Sequence, residues 1–182
     1  MFTPWAGILQ KRWRPKAAAV LACFWLAAQL NSAIVLTNKG LPRADQIMIV
    51  KSSRTLTLLR GGEVIRTYKV ALGSQPVGAK TRQGDNKTPE GKYTIDARNQ
   101  HSQFHLALHV SYPNADDRAR ARKLGVNPGG DIFIHGLPPG WAKVGEAHQL
   151  GDWTLGCIAV TNAEIEEIWA MAPVGTKVEI RP

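Results

Sequence analysis

The stretch that decides the fold is Thr55-Leu56-Thr57-Leu58-Leu59-Arg60-Gly61-Gly62-Glu63-Val64-Ile65-Arg66-Thr67-Tyr68-Lys69-Val70-Ala71-Leu72. Leu56 and Leu58 alternate with threonines, a period of two that turns one face of a strand inward. Beyond Gly61-Gly62, the same count puts Val64, Tyr68, Val70 and Leu72 on one face. Two glycines between alternating runs predict a tight hairpin, because the turns that match strand twist need positive φ.

The pattern continues outward in both directions. Gln46–Lys51 reads as a short apolar strand before the hairpin. Residues 73–90 are rich in Gly, Pro, Asn, Asp and Lys and read as a long loop, which in a compact domain is more often functional than idle. Lys92–Ala97 resumes the alternation with Tyr93, Ile95 and Ala97 inward, and Phe104, Leu106, Leu108 and Val110 form the next inward stripe. A helix is expected over Asp116–Leu124, stopped by Gly125, and Asp131–His135 and Cys157–Val160 read as short strands. Thr161 with Glu164 three residues on is a capping box, opening a helix with the buried stripe Ile165, Ile168 and Trp169. Pro173 and Gly175 end it, and Thr176–Ile180 closes the chain as a strand. The sum predicts a mainly β single domain with two helices (α+β), built as a β-sandwich or open barrel. Residues 45–181 suffice for one buried core.

The N-terminus has the parts of an export signal. Residues 1–16 carry Lys11, Arg12, Arg14 and Lys16 and no acidic residue; an apolar run from Ala17 to Ala28 follows, then Gln29-Leu30-Asn31-Ser32-Ala33. Residues 1–33 are expected to be a signal peptide or an N-terminal membrane anchor, and 34–44 a leader into the domain. Cys23 sits inside the apolar run and reads as a small apolar residue there.

The formal net charge of +9 exaggerates the basic character. Without the four cations of residues 1–33, 19 Lys and Arg face 14 Asp and Glu, a net of +5. That suits a domain working near an anionic polymer or membrane surface. No zinc spacing, base-reading helix or aromatic platform motif is present, so no nucleic-acid partner is expected. The densest basic cluster, Arg118, Arg120, Arg122 and Lys123, reads as a solvated helix face.

Cys157 is the single cysteine outside the N-terminal apolar run, so in an exported domain it has no intramolecular disulfide partner. Acyl transfer needs a nucleophile, a base within reach and donors for the oxyanion. Cys157 offers the nucleophile, and His135, where a strand meets a loop, is the preferred base. Gly156 allows close approach to the backbone, amides around 155–157 can face an oxyanion, and Thr154 can orient the loop or donate to substrate. His148 is the rival base. A zinc site of Cys157, His135 and His148 lacks any close ligand pair, and His105 and His109 stand roughly 13 Å apart along one strand. No metal or cofactor is expected.

Ile134-His135-Gly136 followed by Thr154-Leu155-Gly156-Cys157-Ile158 resembles the YkuD-type catalytic domain of bacterial L,D-transpeptidases. Thr88-Pro89-Glu90-Gly91-Lys92-Tyr93 is similar to the upstream Thr-Pro-x-Gly segment of those domains. Ser111-Tyr112-Pro113-Asn114, Gly129-Gly130-Asp131 and Gly156-Cys157-Ile158-Ala159-Val160-Thr161-Asn162 resemble the YafK branch. The resemblance covers residues 45–181 and implies a cofactor-free cysteine transpeptidase of the cell envelope acting on peptidoglycan stem peptides. It implies that Cys157 attacks the carbonyl of the diamino acid before a terminal D-alanine, with His135 as base and its ring held by a backbone carbonyl, that of Gly136. Many members carry Arg two residues after the cysteine, where this chain has Ala159. The YafK branch also implies an alternative: a hydrolase or amidase that releases a wall-linked envelope lipoprotein. A reading of another class is a non-catalytic peptidoglycan-binding module. Membrane contact is expected only through the N-terminal segment, in the periplasm or cell envelope.

Overall fold

A computed structural model describes residues 41–182. Among these the strands are β1 Gln46–Val50, β2 Thr55–Arg60, β3 Glu63–Lys69, β4 Gly91–Ser102, β5 His105–Val110, β6 Ile132–His135, β7 Ile158–Ala159 and β8 Lys177–Arg181. Two helices, α1 Ala115–Leu124 and α2 Asn162–Met171, flank β6 and β7 in the chain, and a 3-10 turn spans Gly145–Leu150. The expectations for residues 1–33, and most of the leader, lie outside the described residues. Among the described residues no helix is long and apolar enough to cross a membrane.

The strands form one sheet in the order β3-β2-β1-β8-β4-β5-β6-β7. β1–β8 and β6–β7 pair in parallel and the other neighbours antiparallel. β4 turns the corner: Gly91–Thr94 pair with β8, while residues from Ile95 onward pair with β5. The two ends of the sheet then meet. Ala71, just past β3, exchanges backbone hydrogen bonds of 3.0 and 2.9 Å with Ala159 of β7. A second bridge joins Gly73 to Thr154. The architecture is therefore a curled half-barrel, the open-barrel form of the expected fold, rather than two stacked sheets. Ala159 is fully buried at this seam, a place for a small side chain.

The core is filled from inside the curl. Ile47, Ile49, Leu56, Leu58, Ile95 and Leu108 are fully buried, and α2 packs on β5 and β6 through Ile165 and Ile168. Gly61 and Gly62 have φ of 60° and 87°, the hairpin geometry that their position predicts. Thr161 and Glu164 form the expected capping box. α1 starts one residue earlier than expected, on a capping box made by Asn114 and Asp117, and ends at Gly125 in the left-handed region.

Two inward assignments fail for one reason. Val64 is 65% exposed, because the register shifts between Leu58 and Leu59 and places Ile65 as an extra residue in β3. Ala97 faces outward because a similar shift makes Asp96 the extra residue of β4. A bulge flips every later side chain to the other face. In α2, Met171 takes the buried place expected of Trp169, which is half-buried with the Arg98 guanidinium 3.8 Å from its ring centre.

Candidate active site

The parallel pairing of β6 and β7 sets Ile134 beside Ile158 and His135 beside Ala159. Cys157 thus enters β7 next to the strand whose last residue is His135. Both line a cavity of about 490 Å3 whose wall also includes Lys80, Phe104, Asp131 and Trp153. Both also line a second cavity of about 380 Å3, with Asn99, His101, Ser102 and Gln103. The pair therefore sits where two depressions adjoin.

His135 is 3% exposed, and its ring is fixed from one side. Gly136 O can only accept, so the 2.7 Å contact makes Nδ1 the protonated nitrogen and leaves Nε2 with its lone pair. Phe104 lies against the ring at 4.5 Å between centres, and Trp153 stands edge-on at 6.1 Å. Burial pushes the imidazole below its ordinary pKa; the Gly136 bond opposes that shift and nearby His148 adds to it.

The Cys157 thiol donates to Asp131 O at 3.5 Å, a long and weak contact. Burial raises its pKa, a backbone bond from Phe133 and the Lys80 charge pull the other way, and Asp131 adds to the rise. These directions describe a neutral thiol and a neutral imidazole on the wall of one cavity at neutral pH, not a resting ion pair. A proton must therefore leave the sulfur as it attacks.

Thr154 is buried and ties the cysteine loop together. Its hydroxyl donates to Cys157 O at 2.8 Å and accepts from Gly156 N at 3.1 Å. The Gly156 amide, one of those expected to face an oxyanion, is thus taken by Thr154, which leaves the amides of Leu155 and Cys157. Packing explains both site glycines. A Cβ on Gly156, whose φ is 132°, would stand 2.6 Å from Lys87 O. One on Gly136 would stand 2.7 Å from Asn162 Oδ1 and 2.9 Å from Phe104 O. The close approach foreseen at Gly156 is made by the protein's own backbone.

The other histidines fall elsewhere. His148 is buried, has no hydrogen-bond partner on either ring nitrogen among the described residues, and packs edge-on to Trp153 at 6.4 Å. It does not line the cavity of Cys157. His105 pairs with Glu166 at 2.7 Å and His109 with Asp96. Among the described residues no group of three His, Cys, Asp or Glu side chains is placed to hold a metal ion.

Four wall residues carry no role in the sequence reading. Phe104 falls in an alternating stripe that reads as core, and Trp153 and Lys80 lie in loops where no period marks them. Asp131 holds a left-handed backbone, φ 56°, that aims its carbonyl at the thiol. The one available signal was the length and composition of the 73–90 loop, which brings Lys80 to the cavity.

The half-barrel of strands is the fold of the L,D-transpeptidase class of domains, and here its cavity carries a cysteine and a histidine. The YkuD family model, described as the L,D-transpeptidase catalytic domain, matches residues 44–180, and the chain belongs to that family. It is similar to YafK of Escherichia coli K12, provisionally named an L,D-transpeptidase, at 32% identity over 167 residues, covering 84% of this chain and 60% of YafK. YqjB of Bacillus subtilis 168, named in the same way, is 25% identical over 147 residues, covering 80% of this chain and 76% of YqjB. Among solved structures, the helical cell shape determining protein Pgp2 of Campylobacter jejuni has 26% identity and a TM-score of 0.57. That match covers 87% of this chain and 54% of Pgp2. The chain thus spans little more than half the length of YafK and Pgp2.

Proposed function

We propose that this protein is a cysteine L,D-transpeptidase of the cell wall, with residues 45–181 as its catalytic domain. Residues 1–33 would export it as a signal peptide or hold it at the membrane as an anchor, with 34–44 as a leader. The observation that carries the reading is the parallel β6–β7 pairing, which puts Cys157 and His135 on one cavity. In the first step Cys157 Sγ bonds to the carbonyl carbon of the diamino acid in a stem peptide, and its proton passes to His135 Nε2. The free amides of the 155–157 loop would face the oxyanion. The bond to D-alanine then breaks, the imidazolium returns the proton to the leaving amine, and a thioester remains. An acceptor amine, or water, attacks that thioester and gives its proton to His135, and the thiol is restored. Water as acceptor gives the hydrolase, and release of a lipoprotein from the wall is that same step on another acyl donor.

Incubation with disaccharide-tetrapeptides, read by mass spectrometry, tests the proposal. The expected result is a mass shift on Cys157 and release of D-alanine, both absent in Cys157→Ala. Tight binding to peptidoglycan without turnover would refute it in favour of a binding module. Adding an amine-bearing stem peptide or lipoprotein-linked muropeptides shows which acceptor and donor the thioester serves.

A further inference from the structure

The geometry points to Lys80 as a specificity residue that reads a carboxylate on the acyl donor; this rests on the proposed acyl transfer at Cys157. Lys80 is 5% exposed and lines the cavity that holds Cys157 and His135. Its Nζ donates to Asp85 Oδ1 at 2.8 Å and to Arg82 O at 3.1 Å. An ammonium has three N–H bonds, so among the described residues one donor is left for a ligand in the cavity. Lys51 shows the contrast. It is equally buried, lies away from this cavity, and meets three acceptors: Gly78 O at 2.7 Å, Thr88 O at 3.2 Å and Glu90 Oε1 at 2.7 Å. One buried lysine is matched donor for acceptor, and the one on the cavity is not.

The loop around Lys80 is built to hold that charge still. Asp85 also accepts from the backbone amides of Thr81, Arg82 and Lys87, at 2.8, 3.1 and 3.1 Å. Those amides keep Asp85 ionised and fixed, so it anchors the ammonium at the cavity wall. The Lys80 charge reaches Cys157, where it favours the thiolate. Asp131 on the same wall repels an anion, so a ligand is selected by where its carboxylate falls as well as by its sign. In a stem peptide the carboxylate nearest the scissile carbonyl is that of the leaving D-alanine, and the diamino acid's second carboxylate stands at the far end of its side chain.

Alkylation of Cys157 separates the anion site from the proposed activity. Iodoacetate and iodoacetamide form the same Sγ–C bond with loss of iodide and the thiol proton, and they differ in charge. Any change in thiolate fraction alters both rates equally, so their ratio reports the carboxylate alone. A charge-assisted hydrogen bond predicts that Lys80→Met lowers the iodoacetate-to-iodoacetamide ratio about tenfold or more, with Lys80→Arg keeping most of it. An unchanged ratio in folded Lys80→Met overturns the inference. A second measurement needs no variant. The unmutated protein receives tetrapeptides amidated at the D-alanine terminus or at the diamino acid's carboxylate. One of them is expected to lose about tenfold to a hundredfold in kcat/KM, which names the group read. Equal turnover of both with the parent peptide overturns the inference. If no peptide turns over but the alkylation ratio falls, the anion site stands and the proposed function fails.

Discussion

Replacing Thr154 with Val keeps the shape of a buried side chain and removes one hydroxyl. That hydroxyl serves two backbone groups of the cysteine loop, Cys157 O at 2.8 Å and Gly156 N at 3.1 Å. The Gly156 amide is buried, so losing its acceptor costs about 2 kcal/mol, while the partly buried Cys157 carbonyl costs about 1 kcal/mol. The sum of about 3 kcal/mol lowers the Tm of a domain this size by roughly 10 °C. The backbone of Thr154 stays in place through its bonds to Leu72 O and Ser74 N, at 3.1 and 2.9 Å. The damage is therefore local to residues 155–157, and a nucleophile displaced by about 1 Å predicts roughly a hundredfold loss in kcat/KM. Urea unfolding and D-alanine release measure the two effects separately. Thr154→Ser, which keeps the hydroxyl and gives up one methyl, should lose about 1 kcal/mol and retain most activity. The reasoning is refuted if Thr154→Val unfolds within about 0.5 kcal/mol of the parent and turns substrate over as fast.

Gly156→Ala forces a Cβ to 2.6 Å from Lys87 O at a φ of 132°; we expect a loss of about 3 kcal/mol or more in urea unfolding, and a near-parental midpoint would refute the packing argument. His135 and His148 both have pKa values lowered by burial, so the unfolded chain takes up protons first, from about pH 6.5 downward. Stability is then fully present above that pH and lost as pH falls through the folded pKa values, with a slope approaching about 1.4 kcal/mol per pH unit for each histidine. His148→Phe removes two unpartnered nitrogens and should flatten that slope between pH 7 and 5 in urea titrations, and an unchanged slope would refute it.

Features legible in the sequence are those that local chemistry specifies. Gly61-Gly62 announces a hairpin because few residues accept its φ, and Thr161 with Glu164 announces a helix start because a hydroxyl and a carboxylate cap it reciprocally. Cys157 and His135 were legible as residue types in motifs, but the strand pairing that seats them on one cavity is non-local. The errors at Val64 and Ala97 arose because one extra residue inverts the alternation and leaves no mark in composition. Lys80 and Trp153 were missed because a loop has no period, and only the pairing of Lys80 with Asp85 shows why its charge is kept.

The seam between Ala71 and Ala159 has a consequence for how reactivity arises. Cys157 lies two residues before that seam, and Thr154 is bridged across it to Gly73. The contact joins the first hairpin to a segment more than eighty positions later, a long loop closure of the kind that forms slowly. A chain that has not yet curled shut owns a cysteine but not the lysine-lined chamber around it. The surroundings of the thiol are therefore made by long-range pairing, and a variant that opens the Ala71–Ala159 seam should change the reactivity of Cys157.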